Sequence, residues 1–113
     1  MSGLRINVIS LAGTDRRLAQ HDLDLAKVIR DGLERLGVDA FIEFADLSVA
    51  RHRADRCILD QIFPLYREKG CGISPAYFLN GELICHGRIP SVDEFMASIT
   101  DRFDLVEEEE QDA

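Results

Sequence analysis

Cysteine, histidine and clustered carboxylates are the residues here that could ligate a metal, attack an electrophile or move a proton. The sequence offers few of them: three cysteines and three histidines in 113 residues. Cys57, Cys71 and Cys85 follow one another at intervals of fourteen, which matches no zinc-ligand spacing, and a structural zinc site takes four nitrogen or sulfur ligands. Cys85 and His86 are neighbours in a strand-like run, so they point to opposite faces and do not chelate one ion together. Cys71 lies in a glycine-rich turn four residues before Pro75 and is the weak candidate for thiol chemistry, as a redox sensor or nucleophile. The competing reading makes it a small apolar residue at the end of a helix. Cys57 falls on a helical stretch and is expected to be buried. His21 and His52 sit in polar surroundings and are expected at the surface. Asp15, Asp22 and Asp24 could act as acids and bases, but carboxylates at a helix start are explained more simply by the helix dipole. No Ser-His-Asp arrangement, phosphate loop or dinucleotide fingerprint is visible, so no catalytic residue, cofactor or metal is assigned.

The elements that position these residues follow from hydrophobic period. Leu4 to Leu11 carries apolar groups on both sides and reads as a central strand. A polar loop with the turn signal Gly13-Thr14-Asp15 follows. From Asp22 the apolar residues Leu25, Val28, Ile29, Leu33 and Leu36 recur at three and four, and Gly37 stands where a left-handed cap ends a helix. Val38 to Phe44 alternates as a second strand, completing a βαβ unit whose strands should be parallel. Ser48 is expected to cap a second helical region that Pro64 kinks or restarts and that Gly70 and Gly72 end. Asn80-Gly81 between two apolar runs predicts a type I′ hairpin turn, pairing Leu79 with Glu82, Tyr77 with Ile84, Ala76 with Cys85 and Pro75 with His86. Ser91-Val92-Asp93-Glu94 is a capping box, with Pro90 and Phe95 as its staple and Val92, Phe95, Met96, Ile99 and Phe103 as the apolar stripe of a last helix.

Size and charge narrow the function. A chain this long buries roughly two thirds of its unfolded surface in one core, so residues 1–105 are read as one domain and 106–113 as an acidic flexible tail. The net charge is -8, and the balance stays negative without Glu107 to Glu110 and Asp112. Phosphate backbones are bound by lysine and arginine, so nucleic acid is not an expected partner, and Arg16-Arg17 and Arg51, Arg53 and Arg56 read as solvated clusters. No run approaches the roughly 18 to 20 apolar residues that span a bilayer, and no leader is recognised. A cytoplasmic setting with free thiols is the expectation.

The order β-α-β-α-β-β-α, a parallel unit followed by an antiparallel hairpin and a helix, resembles the thioredoxin-like fold: α/β, with a mixed four-stranded sheet and helices on both faces. Ile73-Ser74-Pro75-Ala76-Tyr77-Phe78-Leu79-Asn80-Gly81-Glu82, then Gly87, resembles that superfamily's run of proline, strand, Asn-Gly turn, strand and glycine. The resemblance implies that Pro75 is the cis-proline and that the backbone at Ser74 pairs with an extended partner segment. Redox members carry Cys-x-x-Cys after the first strand, at a helix start that lowers the thiol pKa. Here that place holds Ala12-Gly13-Thr14-Asp15-Arg16-Arg17, so dithiol exchange is excluded and Ser10 and Thr14 count only as hydrogen-bonding residues. Gly87-Arg88-Ile89-Pro90, the long first helix and the hairpin look most like the arsenical-resistance metallochaperone and repressor family, whose metalloid-binding cysteines are missing from this loop.

These features imply a non-redox protein-binding or accessory module whose partner-binding residues are Gly13, Thr14, Arg16, Arg17, Ser74 and Pro75. The alternatives are a sensor or enzyme acting through Cys71 and a diverged metallochaperone or regulator. An exposed edge strand would also permit a homodimer.

Overall fold

The computed structural model describes residues 3–13 and 15–102; Thr14, Phe103 and the acidic C-terminal segment lie outside them. Strand β1 (Arg5–Ser10) occupies an interior position, because its alternating apolar groups meet a core on each side. A 3₁₀ turn (Arg16–Leu18) leads into helix α1 (Ala19–Leu36), then strand β2 (Phe41–Asp46), helices α2 (Leu47–Arg53) and α3 (Arg56–Lys69), and a second 3₁₀ turn (Gly70–Ile73). Strands β3 (Ala76–Leu79) and β4 (Glu82–His86) and helix α4 (Val92–Arg102) complete the order. The result is an α/β architecture with one mixed sheet ordered β2-β1-β3-β4. β1 runs parallel to β2, antiparallel to β3, and β3 antiparallel to β4.

Alternation along β1 builds two cores. Ile6 and Val8, with Tyr77, Leu79 and Cys85, pack with Leu25, Ile29 and Leu33 of α1 and Phe95 and Ile99 of α4. Ile9, Ala76 and Phe78 pack on the other face with Leu47 and Ala50 of α2, Ile58 and Ile62 of α3, and Ile73. Each sheet face is thus covered by helices. On the first face α1 and α4 approach closely at Gly32, where a Cβ would run into the Phe95 ring.

Several boundaries differ from expectation for local reasons. α1 begins three residues before Asp22, continuing from the 3₁₀ turn, and ends as expected at left-handed Gly37. The N–H of Gly37 donates to Glu34 C=O and that of Val38 to Leu33 C=O, so Val38 completes the helix cap and β2 starts later than predicted, at Phe41. The cap of α2 is Asp46, which accepts from Ser48 N–H; Ser48 does not cap it. α3 runs through Pro64 with no restart, and the break falls instead at Ala54 and Asp55, whose extended backbones separate α2 from α3. Pro64 is exposed, which leaves the freed Asp60 carbonyl on the water side, while buried Ile58 and Ile62 anchor the helix before it.

The Asn80-Gly81 turn has positive φ at both residues, and Asn80 ties it to β1: Arg5 N–H donates to Asn80 Oδ1 at 2.6 Å and Asn80 N–H to Arg5 C=O at 2.8 Å. Leu79 pairs with Glu82 as predicted, but Tyr77 faces Cys85 and Ala76 faces His86, because a bulge near Ile84 shifts the register by one. The shift puts Cys85 in the first core. The capping box forms, with Glu94 N–H donating to Ser91 Oγ at 3.1 Å and Ser91 N–H to Glu94 Oε1 at 2.9 Å. Among the described residues, no helix is long and apolar enough to cross a membrane.

Overfilling the α1–α4 contact tests this packing. Gly32→Ala is expected to destabilise the fold by about 1–3 kcal/mol despite alanine's better helix propensity, read as a lower urea midpoint with unchanged helical circular dichroism at zero denaturant.

Candidate functional site

The end of β1 and the turn before β3 come together through one buried hydrogen bond: Leu11 N–H donates to Ser74 Oγ at 3.0 Å. This contact brings the loop after β1 against the Ser74-Pro75 step, whose peptide bond is cis. Gly87 closes the same region from β4, its N–H reaching Ile73 C=O at 3.0 Å and Pro75 C=O at 3.1 Å. Its φ is +75°, and a Cβ there would meet Gly72 C=O, so only glycine fits.

Three carboxylates shape the loop. Ser10 Oγ donates to Asp22 Oδ2 at 2.6 Å and accepts from Ala12 N–H at 2.9 Å, which pins the start of the loop to α1. Gly13 N–H donates to Asp46 Oδ1 at 2.8 Å, while the other carboxylate oxygen accepts from Ser48 N–H at 3.0 Å and Ser48 Oγ at 2.7 Å. A Cβ on Gly13 would lie 2.6 Å from Asp46 Oδ1, so a larger residue here would make the carboxylate shift. Burial pushes the Asp46 carboxyl up, but the hydrogen bonds from Ser48 and Gly13 outweigh it and hold the group below the usual carboxylate range. Asp15 accepts from the Arg17 side chain at 2.8 and 3.0 Å and from Arg17 N–H at 3.1 Å. These bonds lower the Asp15 pKa and raise that of Arg17.

The predicted site residues therefore divide into floor and rim. Ser74 and Pro75 are buried and form the floor; Gly13, Arg16 and Arg17 are exposed and form the rim. Ser74 N–H is turned inward to Cys71 C=O at 3.2 Å. Thr14 lies outside the described residues. Cys71 is half-buried, and its backbone C=O is the acceptor of that Ser74 N–H.

The other candidates lie elsewhere. Cys57, expected in a core, is exposed in the first turn of α3 beside the Gly81 turn. Cys85 is buried, and desolvation raises its thiol pKa, although Arg88 opposes the shift. His21 and His52 are exposed. Among the described residues, no three His, Cys, Asp or Glu side chains gather around one ion position.

Two features escaped sequence reasoning. Asp46 precedes Ser48 by two residues, a local Asx pattern that signals its cap, but nothing local signals its bond to Gly13. Asn7 Oδ1 is buried without a hydrogen-bond partner, its amide nitrogen 3.5 Å from Glu43 Oε1, and no sequence pattern marks it. No protein-family model and no curated protein matches the sequence.

Asp46→Ala is expected to cost about 0.5–2 kcal/mol near pH 7, the range for a lost helix cap. Because the folded pKa is depressed, the ionised carboxylate's contribution is complete above the unfolded value, about 3.9. It disappears as pH falls through the lower folded value. Urea unfolding of both proteins at pH 7 and pH 3 should therefore show a smaller difference at pH 3.

Proposed function

We propose that this chain is a thioredoxin-like, non-redox module that binds a partner protein through the rim formed by Gly13, Arg16 and Arg17 over the Ser74-Pro75 floor, with Thr14 of the same sequence segment as a further contact residue. The observation that carries this reading is the Leu11–Ser74 hydrogen bond, which joins a cysteine-free loop to the proline turn. The strand order and the parallel-then-antiparallel pairing support the thioredoxin-like arrangement. Without thiols in residues 10–17, the place where the dithiol of redox members resides offers shape and charge only.

The rim charge indicates the kind of partner. Arg17 is held by Asp15, whereas Arg16 is exposed and has no ion-pair partner among the described residues. A partner presenting carboxylates fits these guanidinium groups, which bind carboxylates with directional hydrogen bonds. Recognition then depends on side chains of the rim, because the Ser74 N–H is already used internally.

Affinity purification of the full chain from its native host should recover a stoichiometric partner. Arg16→Glu with Arg17→Glu should reduce that recovery at least about tenfold, since like charges brought together at an interface cost several kcal/mol. Equal recovery by wild type and the charge-reversed variant would remove this face as the docking site.

A second reading, chemistry at a single cysteine, rests on the half-buried Cys71 thiol in the turn that leads to Ser74. Thiol labelling of the folded Cys57→Ser chain over pH 5–9 distinguishes the two readings. The binding-module reading predicts that Cys71 reacts no faster than a free thiol at each pH; acceleration below pH 7 would support the cysteine chemistry.

A further inference from the structure

Three exposed arginines surround Asp55 at one end of the sheet. Arg5 opens β1, and its guanidinium donates to Asp55 Oδ2 at 2.9 Å. Arg53 closes α2 and lines a cavity with Asn7 and Glu43, and Arg56 opens α3. Among the described residues neither Arg53 nor Arg56 has an ion-pair partner, although Glu43 shares the Arg53 cavity and Asp60 follows Arg56 by one helical turn. Arg53 stands at the C-terminal end of α2, where the helix dipole favours a cation. Arg56 stands in the first turn of α3, where the dipole opposes one, so helix stability does not account for it.

Helix α4 ends close to this cluster. Arg102 donates from Nε and Nη2 to the two carboxylate oxygens of Glu82 at 3.3 and 3.4 Å, which fixes the end of α4 at the start of β4. The Asn80-Gly81 turn connects that point to the arginines: Asn80 Oδ1 accepts from Arg5 N–H, and a Cβ on Gly81 would lie 3.1 Å from Sγ of Cys57, the residue after Arg56. Beyond Arg102 the sequence continues FDLVEEEEQDA, with six carboxylate side chains and no lysine or arginine. An extended chain spans about 3.3–3.6 Å per residue, so Glu107 can lie up to roughly 17 Å from Arg102 and Glu110 up to roughly 28 Å. Helix layers on opposite faces of one sheet stand on the order of 20 Å apart, which is within that reach.

We infer that the acidic segment Glu107–Glu110 folds round the Asn80-Gly81 turn and pairs with Arg53 and Arg56 of the same chain. Charge selects this occupant. With Asp55 engaged by Arg5, two guanidinium groups remain without a carboxylate, and four consecutive glutamates repel one another unless cations lie between them. Arginine binds carboxylates with directional hydrogen bonds. Each exposed pair is weak, but a short tether keeps the glutamates at an effective concentration in the millimolar range, so association within one chain outcompetes a free anion. Reach selects this patch over the rim at Arg16 and Arg17. The rim lies by Pro75 and Gly87, past the far end of the five-residue strand β4, about 17 Å farther from Arg102. The arginine patch is thereby closed to other anionic segments while the rim stays open.

Zero-length cross-linking of the full chain tests this. A water-soluble carbodiimide joins a lysine to a carboxylate only where the two are in contact, so lysine is placed at the arginine positions without changing their charge. The full chain carrying Arg53→Lys and Arg56→Lys should give, in its monomer band, a peptide that links one of those positions to Glu107–Glu110. Raising sodium chloride from about 0.05 M to about 0.5 M should lower that yield at least about threefold, because salt screens exposed pairs. The full chain carrying Arg16→Lys and Arg17→Lys should give no link to Glu107–Glu110, which separates this contact from the proposed docking rim. Circular dichroism checks that both variants, altered only at exposed positions, are folded. Absence of the link, a link found only between two copies, a yield indifferent to salt, or equal linkage from the rim positions would each overturn the inference.

Discussion

The buried hydrogen bond from Leu11 N–H to Ser74 Oγ fixes the geometry on which the candidate site depends. It joins the end of the interior strand to the turn that opens the hairpin, two segments 63 residues apart in sequence. It adds a direct tie between the loop carrying Gly13, Arg16 and Arg17 and the proline step to the Ile9–Ala76 pairing of β1 with β3. The bond is effective because Ser74 is only 5% exposed, so water does not compete for the Leu11 N–H, and losing the acceptor would leave a buried donor unpaired. Gly87 braces the same place from the other side, its single N–H shared between the carbonyls of Ile73 and Pro75.

Around that junction, side-chain oxygens serve the backbone. Ser10, Asp46 and Ser74 each accept from an N–H of residues 11–13, so the loop after β1 is held at consecutive positions by three different elements. Such a loop is preorganised, and an ordered rim loses less conformational entropy when a partner docks. Ser10 is hydrogen-bonded to Asp22 with no histidine between them, and the buried thiol of Cys85 lies in the first core, away from the loop.

The loop junction and the open sheet edge arise from one constraint, the position of β1. Being interior, β1 buries both faces and directs its C-terminal end to the junction with Ser74, while its parallel partner β2 becomes an edge. Because β2 passes straight into α2 at Asp46, its last residue serves the loop through Gly13 as its outer backbone faces away. The rim of the candidate site and the open edge of the sheet therefore use different residues.

Much of the fold was legible in the sequence because it is set locally. The three- and four-residue spacing from Leu25 to Leu36, the Gly37 stop, the Asn80-Gly81 turn and the Ser91–Glu94 box each depend on neighbours a few residues away. The absence of thiols in the loop after β1 was equally plain. Tertiary structure decided the rest, where distant groups compete. It carried α3 through Pro64 by anchoring Ile58 and Ile62, and it shifted the hairpin register by a bulge that buries Cys85. It left Cys57 exposed and Ser74 buried, and it joined Asp46 to Gly13. Local propensity amounts to fractions of a kcal/mol per residue, whereas burial and unpaired buried polar groups amount to several, so packing prevails wherever the two disagree.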